Sequence, residues 1–233
     1  MHKLSNKSVN KLLILLLVSS AAIRGFLAAF LEFGNDEVYY WTYALFPDIS
    51  HFDHPPMVGW IIQVFTLDLL VDHEFFIRLG AVAFGTLNTW IIYILGSKIR
   101  NRTTGLYAAI LFTASIYCFL LSGTFILPDT PQVLFWLLGM LFLWEAFFSN
   151  GIPARKDLFM VLAGASLGLG LLSKYTTAYL WAGVILYLLI YDRSWFRRGA
   201  FYASIAISAM LFLPVILWNI QNEWISFTYQ GGR

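Results

Sequence analysis

The chain has 233 residues, of which 59% are hydrophobic and only 12% charged, with a formal net charge of +2. A soluble domain carries about 25% charged residues, so a soluble globular protein is excluded and an all-α polytopic membrane protein is expected. A single cysteine, Cys118, excludes an intrachain disulfide and reads as a small core residue.

Lys3, Lys7 and Lys11 precede an apolar run over residues 12–31. It reads as an uncleaved first transmembrane helix rather than a signal peptide, because several spans follow. Arg24 inside it is costly in lipid, so it is expected to face protein or reach toward the outer surface.

Residues 32–73 form the first outer loop. Between Asn35 and Pro56 it gathers four acids (Asp36, Glu37, Asp48, Asp53), two imidazoles (His51, His54) and the aromatics Tyr39, Tyr40, Trp41 and Tyr43. Asn35 or Asp36 is expected to cap a short helix that runs to about Leu45 and is stopped by Pro47. His51 to His54 should be extended because Pro55 disfavours the helical region at the residue before it. Residues 57–70 place Val58, Ile61, Ile62, Phe65 and Leu69 on one face. This predicts a second helix lying in the interface, too short and polar to span.

Six further spans are expected at residues 75–97, 105–125, 132–148, 158–173, 177–191 and 200–218, about seven in all. Gly164, Gly168 and Gly170 in the fifth read as close helix packing. Threading from an inner N-terminus puts Lys98, Arg100, Arg102, Arg155, Lys156, Arg193, Arg197 and Arg198 on the inner side with the three N-terminal lysines. Arg24, Arg78, Lys174 and Arg233 are left elsewhere. The acidic loop, Asp129 and Lys174 then share the outer side.

Taken singly, Asp36 reads as a helix cap, Asp129 as a turn residue between Pro128 and Pro131, and Lys174 as a snorkelling cation. Clustered on one surface they read as a polar site. Carboxylates beside imidazoles also suit a divalent metal ion (Mg, Mn or Zn), with Asp53 and His51 as its ligands.

The loop D-E-V-Y-Y-W followed by H-F-D-H-P-P resembles the first outer loop of the GT-C superfamily. Within it, the match is to the dolichyl-phosphate-mannose protein mannosyltransferase and aminoarabinose transferase group. P-D-T-P, L-G-L-L-S-K-Y-T and P-V-I-L-W-N-I-Q-N-E-W-I-S-F are similar to later blocks of its bacterial members. The resemblance implies a single GT-C-like domain with its active site outside the bacterial inner membrane. It implies inverting transfer of a sugar from a polyprenyl-phosphate donor to a lipid, glycan or protein acceptor. No nucleic-acid partner is expected. By resemblance Asp36 matches the catalytic base and Glu37 would orient it or the acceptor. Asp53 matches an acid that can bind metal, and His54 stands where the family has a donor-phosphate residue. Asp129 matches a second outer-loop acid near the lipid phosphate. Lys174, with Arg24, would stabilise the departing phosphate, and Tyr39 is placed with the substrate-binding residues. Family members run to around twice this length, so their C-terminal part is expected to be missing. The competing expectations are a lipid-linked-sugar transporter, which would favour ionisable groups at mid-membrane, and a non-catalytic assembly subunit.

Overall fold

The computed structural model describes residues 5–232; Lys3 and Arg233, which entered the charge count, lie outside them. Among the described residues there are helices and turns but no strand. Four helices among the described residues are long and apolar enough to cross a bilayer: α1 (Asn6–Phe30), α4 (Glu74–Ile99), α6 (Asp129–Phe148) and α9 (Gly199–Gln221). The protein is an all-α polytopic membrane protein. Its other expected spans carry shorter or less apolar helices: α5 (Arg102–Ala114), α7 (Pro153–Leu171) and α8 (Ala178–Tyr191). The chain divides into two compact units, taken in turn.

The first unit comprises the chain up to Phe46 together with Val58–Leu134. Here α1 packs on α4 and α5, with glycines admitting close approach. A Cβ at Gly85 would lie 2.7 Å from the Gly123 Cα, and one at Gly96 would lie 2.9 Å from the Gly105 Cα. The apolar stretch 105–125 is not one helix. α5 stops at Ala114, Ser115 is extended, and a π-helical turn follows over Tyr117–Leu121. Hydropathy is blind to this break because side-chain hydroxyls absorb its polar cost. Thr124 Oγ1 donates to the Phe119 carbonyl (2.7 Å) and Ser122 Oγ to that of Tyr117 (3.4 Å).

Two short helices carry the outer-loop residues, α2 (Asn35–Leu45) and α3 (Met57–Phe65). At about 1.5 Å per residue neither can span a bilayer. Tyr43 and Ala44 of α2 are buried with Val58 and Ile62 of α3, Ile77 and Ala81 of α4, and Ile126. Two expectations need correction. The N-cap of α2 is Gly34, which moves Asn35, Asp36 and Glu37 to its first three positions. And α3 ends at Phe65, not Leu70, because Leu67, Asp68 and Leu69 turn left-handed with φ of 54°, 58° and 64°. Thr66 holds that stop: its hydroxyl donates to the Ile62 carbonyl (2.7 Å) and accepts the Leu69 N–H (3.0 Å).

The second unit comprises Pro47–Met57 and Phe135–Arg233, with α7, α8, α9, the body of α6 and a final short helix α10 (Ile225–Gly231). A Cβ at Gly164 would stand 2.3 Å from the Ser204 carbonyl oxygen, and one at Gly168 3.0 Å from the Ser208 Cα. Gly164 and Gly168 therefore serve packing against α9, as their spacing suggested, whereas Gly170 lies against Thr177. Leu143, Met160, Ala163, Leu188, Trp195 and Phe201 form the apolar core beside them.

Candidate active site

Asp36 and Glu37 are chain neighbours with opposite environments. A helix turns by about 100° per residue, so when Glu37 points into the first unit Asp36 points out. Glu37 is 3% exposed and clamped bidentately by Arg78 of α4, Nε to Oε1 and Nη2 to Oε2, both at 2.7 Å. The N–H groups of Gly34 (3.2 Å) and Ile126 (3.1 Å) donate to the same carboxylate. Arg78, itself fully buried, also donates to the carbonyls of Ala28, Leu31 and Glu32 at the end of α1. Its guanidinium lies 4.7 Å from the Phe33 ring centre. This one ion pair fastens α1, the start of α2, α4 and residue 126 together. Glu37 is thereby occupied with holding the structure.

Asp36 is exposed, and among the described residues no hydrogen bond or ion pair engages its carboxylate. It lines a crevice of about 540 Å³ whose walls include Leu31, Phe33, Leu121, Phe125 and Leu127. That is an ordinary size for a small-molecule site, and mostly apolar walls with a few polar groups are what such sites show. An exposed carboxylate lining an apolar crevice can accept a proton from a nucleophile lodged there.

Asp129 opens α6, and Tyr117 of the π-helical turn donates its hydroxyl to Oδ1 at 2.5 Å. Tyr39 is exposed on α2, its ring edge-on to those of Tyr40 and Tyr43. Arg24 faces protein. It is fully buried with its guanidinium 4.6 Å from the Phe119 ring centre, and it does not line the crevice.

The remaining sequence-nominated residues lie in the second unit. Asp53 and His54 are buried, and His51 is half-buried. This stretch is not extended as expected but bends at Phe52, Asp53 and His54, and chain segments far away in sequence hold it. Ser226 Oγ bonds the carbonyls of His51 and Phe52, each at 2.7 Å, and Gln230 Nε2 donates to the Asp53 carbonyl at 2.6 Å. Gln230 Nε2 also approaches His54 Nδ1 at 3.3 Å. Trp218 Nε1 donates to Asp48 Oδ2 (2.8 Å), and the Phe52 and Tyr229 rings meet at 4.6 Å. The Met57 N–H bonds the Leu172 carbonyl (3.1 Å), two residues before half-buried Lys174. Burial lowers the His51 imidazole to about 4, against the opposing pull of Asp48 and Asp53.

Arg78, Tyr117, Trp218, Ser226 and Gln230 were not singled out as site residues by sequence. Among the described residues no three of His, Cys, Asp and Glu gather as a metal site needs, Asp53 and His51 included.

Residues 53–218 match the family model described as dolichyl-phosphate-mannose-protein mannosyltransferase. The match begins after Asp36 and Glu37. The chain is 25% identical over 199 residues to the lipid A galacturonosyltransferase RgtD of Rhizobium johnstonii, covering 82% of this chain and 39% of that protein. It is 26% identical over 136 residues to the undecaprenyl phosphate-alpha-4-amino-4-deoxy-L-arabinose arabinosyl transferase of Wigglesworthia glossinidia brevipalpis, covering 58% of this chain and 24% of that one. The chain thus spans well under half the length of these relatives. No solved structure matches it.

Proposed function

Because the chain belongs to the dolichyl-phosphate-mannose-protein mannosyltransferase family, we propose that it works as a membrane glycosyltransferase. It moves a sugar from a polyprenyl-phosphate donor to an acceptor on the outer face of the bacterial inner membrane, with its N-terminus inside. The observation that carries this reading is the division of labour between Glu37, spent on Arg78, and Asp36, left unengaged at the mouth of an apolar crevice.

In the reaction Asp36 takes the proton of the acceptor hydroxyl or amine as that group attacks the anomeric carbon. The bond between sugar and phosphate oxygen breaks, and the oxygen leaves with the electron pair as polyprenyl phosphate. Attack opposite the leaving group inverts the anomeric centre. Lys174 and His54 meet the charge that builds on the phosphate, Asp129 lies near the lipid phosphate, and Tyr39 contacts substrate. Glu37 is a positioning residue, fixing the first turn of α2 and with it Asp36. The charge distribution supports an outer location for these residues, since the loops carrying them avoid the basic side.

The test is sugar transfer from a polyprenyl-phosphate donor in membranes carrying wild-type protein or Asp36→Asn. Loss of a positioned base costs about 10²–10⁴ in rate, and the variant should fold normally because Asp36 is exposed. A folded Asp36→Asn protein transferring at the wild-type rate would overturn the assignment.

A further inference from the structure

At the basic end of the second unit, two adjoining cavities differ sharply in chemistry. One, of about 440 Å³, lies where the α6–α7 and α8–α9 connections meet and is lined by Phe147, Lys156, Asp192, Ser194 and Arg198. The other, of about 230 Å³, is an almost wholly apolar groove along α6 and α8, lined by Met140, Leu143, Phe147, Leu180, Gly183 and Tyr187. Phe147 belongs to both, stacked on Tyr187 with ring centres 4.8 Å apart. A polar chamber and a hydrocarbon groove that share one aromatic residue suit the head and chain of an amphiphile.

The charges select the head. Arg155, Lys156, Arg193, Arg197 and Arg198 stand at this end with Asp157, Asp192 and Glu145 as the acids. Asp192 turns Oδ1 to the N–H (3.2 Å) and hydroxyl (2.6 Å) of Ser194. Arg198 is held 3.3 Å from Asp157 and over the Trp195 ring at 4.4 Å, which fixes its guanidinium at the chamber wall. Lys156, half-buried, faces the same chamber. Two cations lining one chamber suit a phosphodiester, and basic pockets between transmembrane helices take lipid head groups.

We infer that this head-and-groove cavity binds a glycerophospholipid, its phosphate on Lys156 and Arg198 and one acyl chain lying along α6 and α8 against Gly183. The site is separate from Asp36 and independent of the proposed transfer. Gly183 leaves open space at the groove: a Cβ there would meet nothing within 4 Å.

The whole chain, purified and delipidated in a nonionic detergent, is titrated with dioleoylphosphatidylglycerol, with dioleoylglycerol and with glycerol phosphate, following thermal unfolding by circular dichroism. A saturable rise in Tm is expected with the phospholipid alone, since it alone carries both head and chains. Lys156→Gln should raise the half-saturating concentration about fivefold, the worth of one basic side chain at a lipid surface. Gly183→Leu should fill the groove without a clash, unfold no earlier than wild type in lipid-free detergent, and lose the lipid-dependent rise. An equal rise with dioleoylglycerol, or a full rise retained in Gly183→Leu, would overturn the inference.

Discussion

Replacing Arg78 with Met tests the buried ion pair that organises the first unit. The substitution removes five hydrogen bonds at once: two to Glu37 and three to the carbonyls of Ala28, Leu31 and Glu32. It keeps an unbranched chain of similar reach, so the loss is one of charge more than of volume. The Glu37 carboxylate, 3% exposed, is left with only the N–H groups of Gly34 and Ile126. Breaking one side of a buried pair costs about 3–5 kcal/mol because the other charge is stranded. For a chain of this size about 1 kcal/mol moves Tm by roughly 2–4 °C, so a fall of about 6–20 °C is expected by thermal unfolding in detergent. Arg78→Lys should fall between, since an ammonium cannot make the bidentate contact. Adding Glu37→Met to Arg78→Met should recover part of the loss by removing the stranded carboxylate. If Arg78→Met unfolds within about 2 °C of wild type, the pair does not hold these elements, and Glu37 is not fixed by it.

Gly164→Val should destabilise the second unit by about 1–3 kcal/mol or more, because its Cβ collides with the Ser204 backbone; proteolytic sensitivity of α7 and α9 reads this. Ser226→Ala should loosen the His51–Phe52 backbone, two carbonyls losing their shared donor. It costs about 1–3 kcal/mol, seen as faster hydrogen exchange over residues 47–57. Acid should weaken the second unit through His51. Its folded imidazole is lowered to about 4 while an unfolded one titrates near 6.5, so the unfolded chain binds the extra proton between those values. Stability is therefore full above pH 6.5 and falls as pH drops toward 4; His51→Gln should flatten that part of a Tm-against-pH curve.

Much of the fold was legible in the polarity of the chain. The runs that became α1, α4, α6 and α9 are long enough to declare themselves, and Pro47 and the proline pair at 55 and 56 bracket the two short helices as turn chemistry dictates. The glycines of α7 announced close packing by spacing alone. Hydropathy failed where hydroxyls compensated a broken backbone, at Ser115 and Thr66. At the site, the difference between Asp36 and Glu37 was available in principle: Glu37 and Ala44 are seven residues apart, hence on one helical face, and both are buried. Arg78 carried a signal too, as an arginine near the start of an apolar helix that needs a buried acid. Which acid it takes is decided by packing across 41 residues. The partners of Asp48, His51 and Asp53 lie 170, 175 and 177 residues away, and no local pattern points from Ser226 or Gln230 back to His51 and Asp53.

The proposed reaction requires Asp36 and Lys174 each to lie at the outer membrane face. Single Asp36→Cys and Lys174→Cys substitutions, each in a Cys118→Ser background, are treated with a membrane-impermeant maleimide applied to intact spheroplasts or to inverted vesicles. The account predicts that both positions label from the outside and neither from the inside; labelling of the two from opposite faces would contradict it.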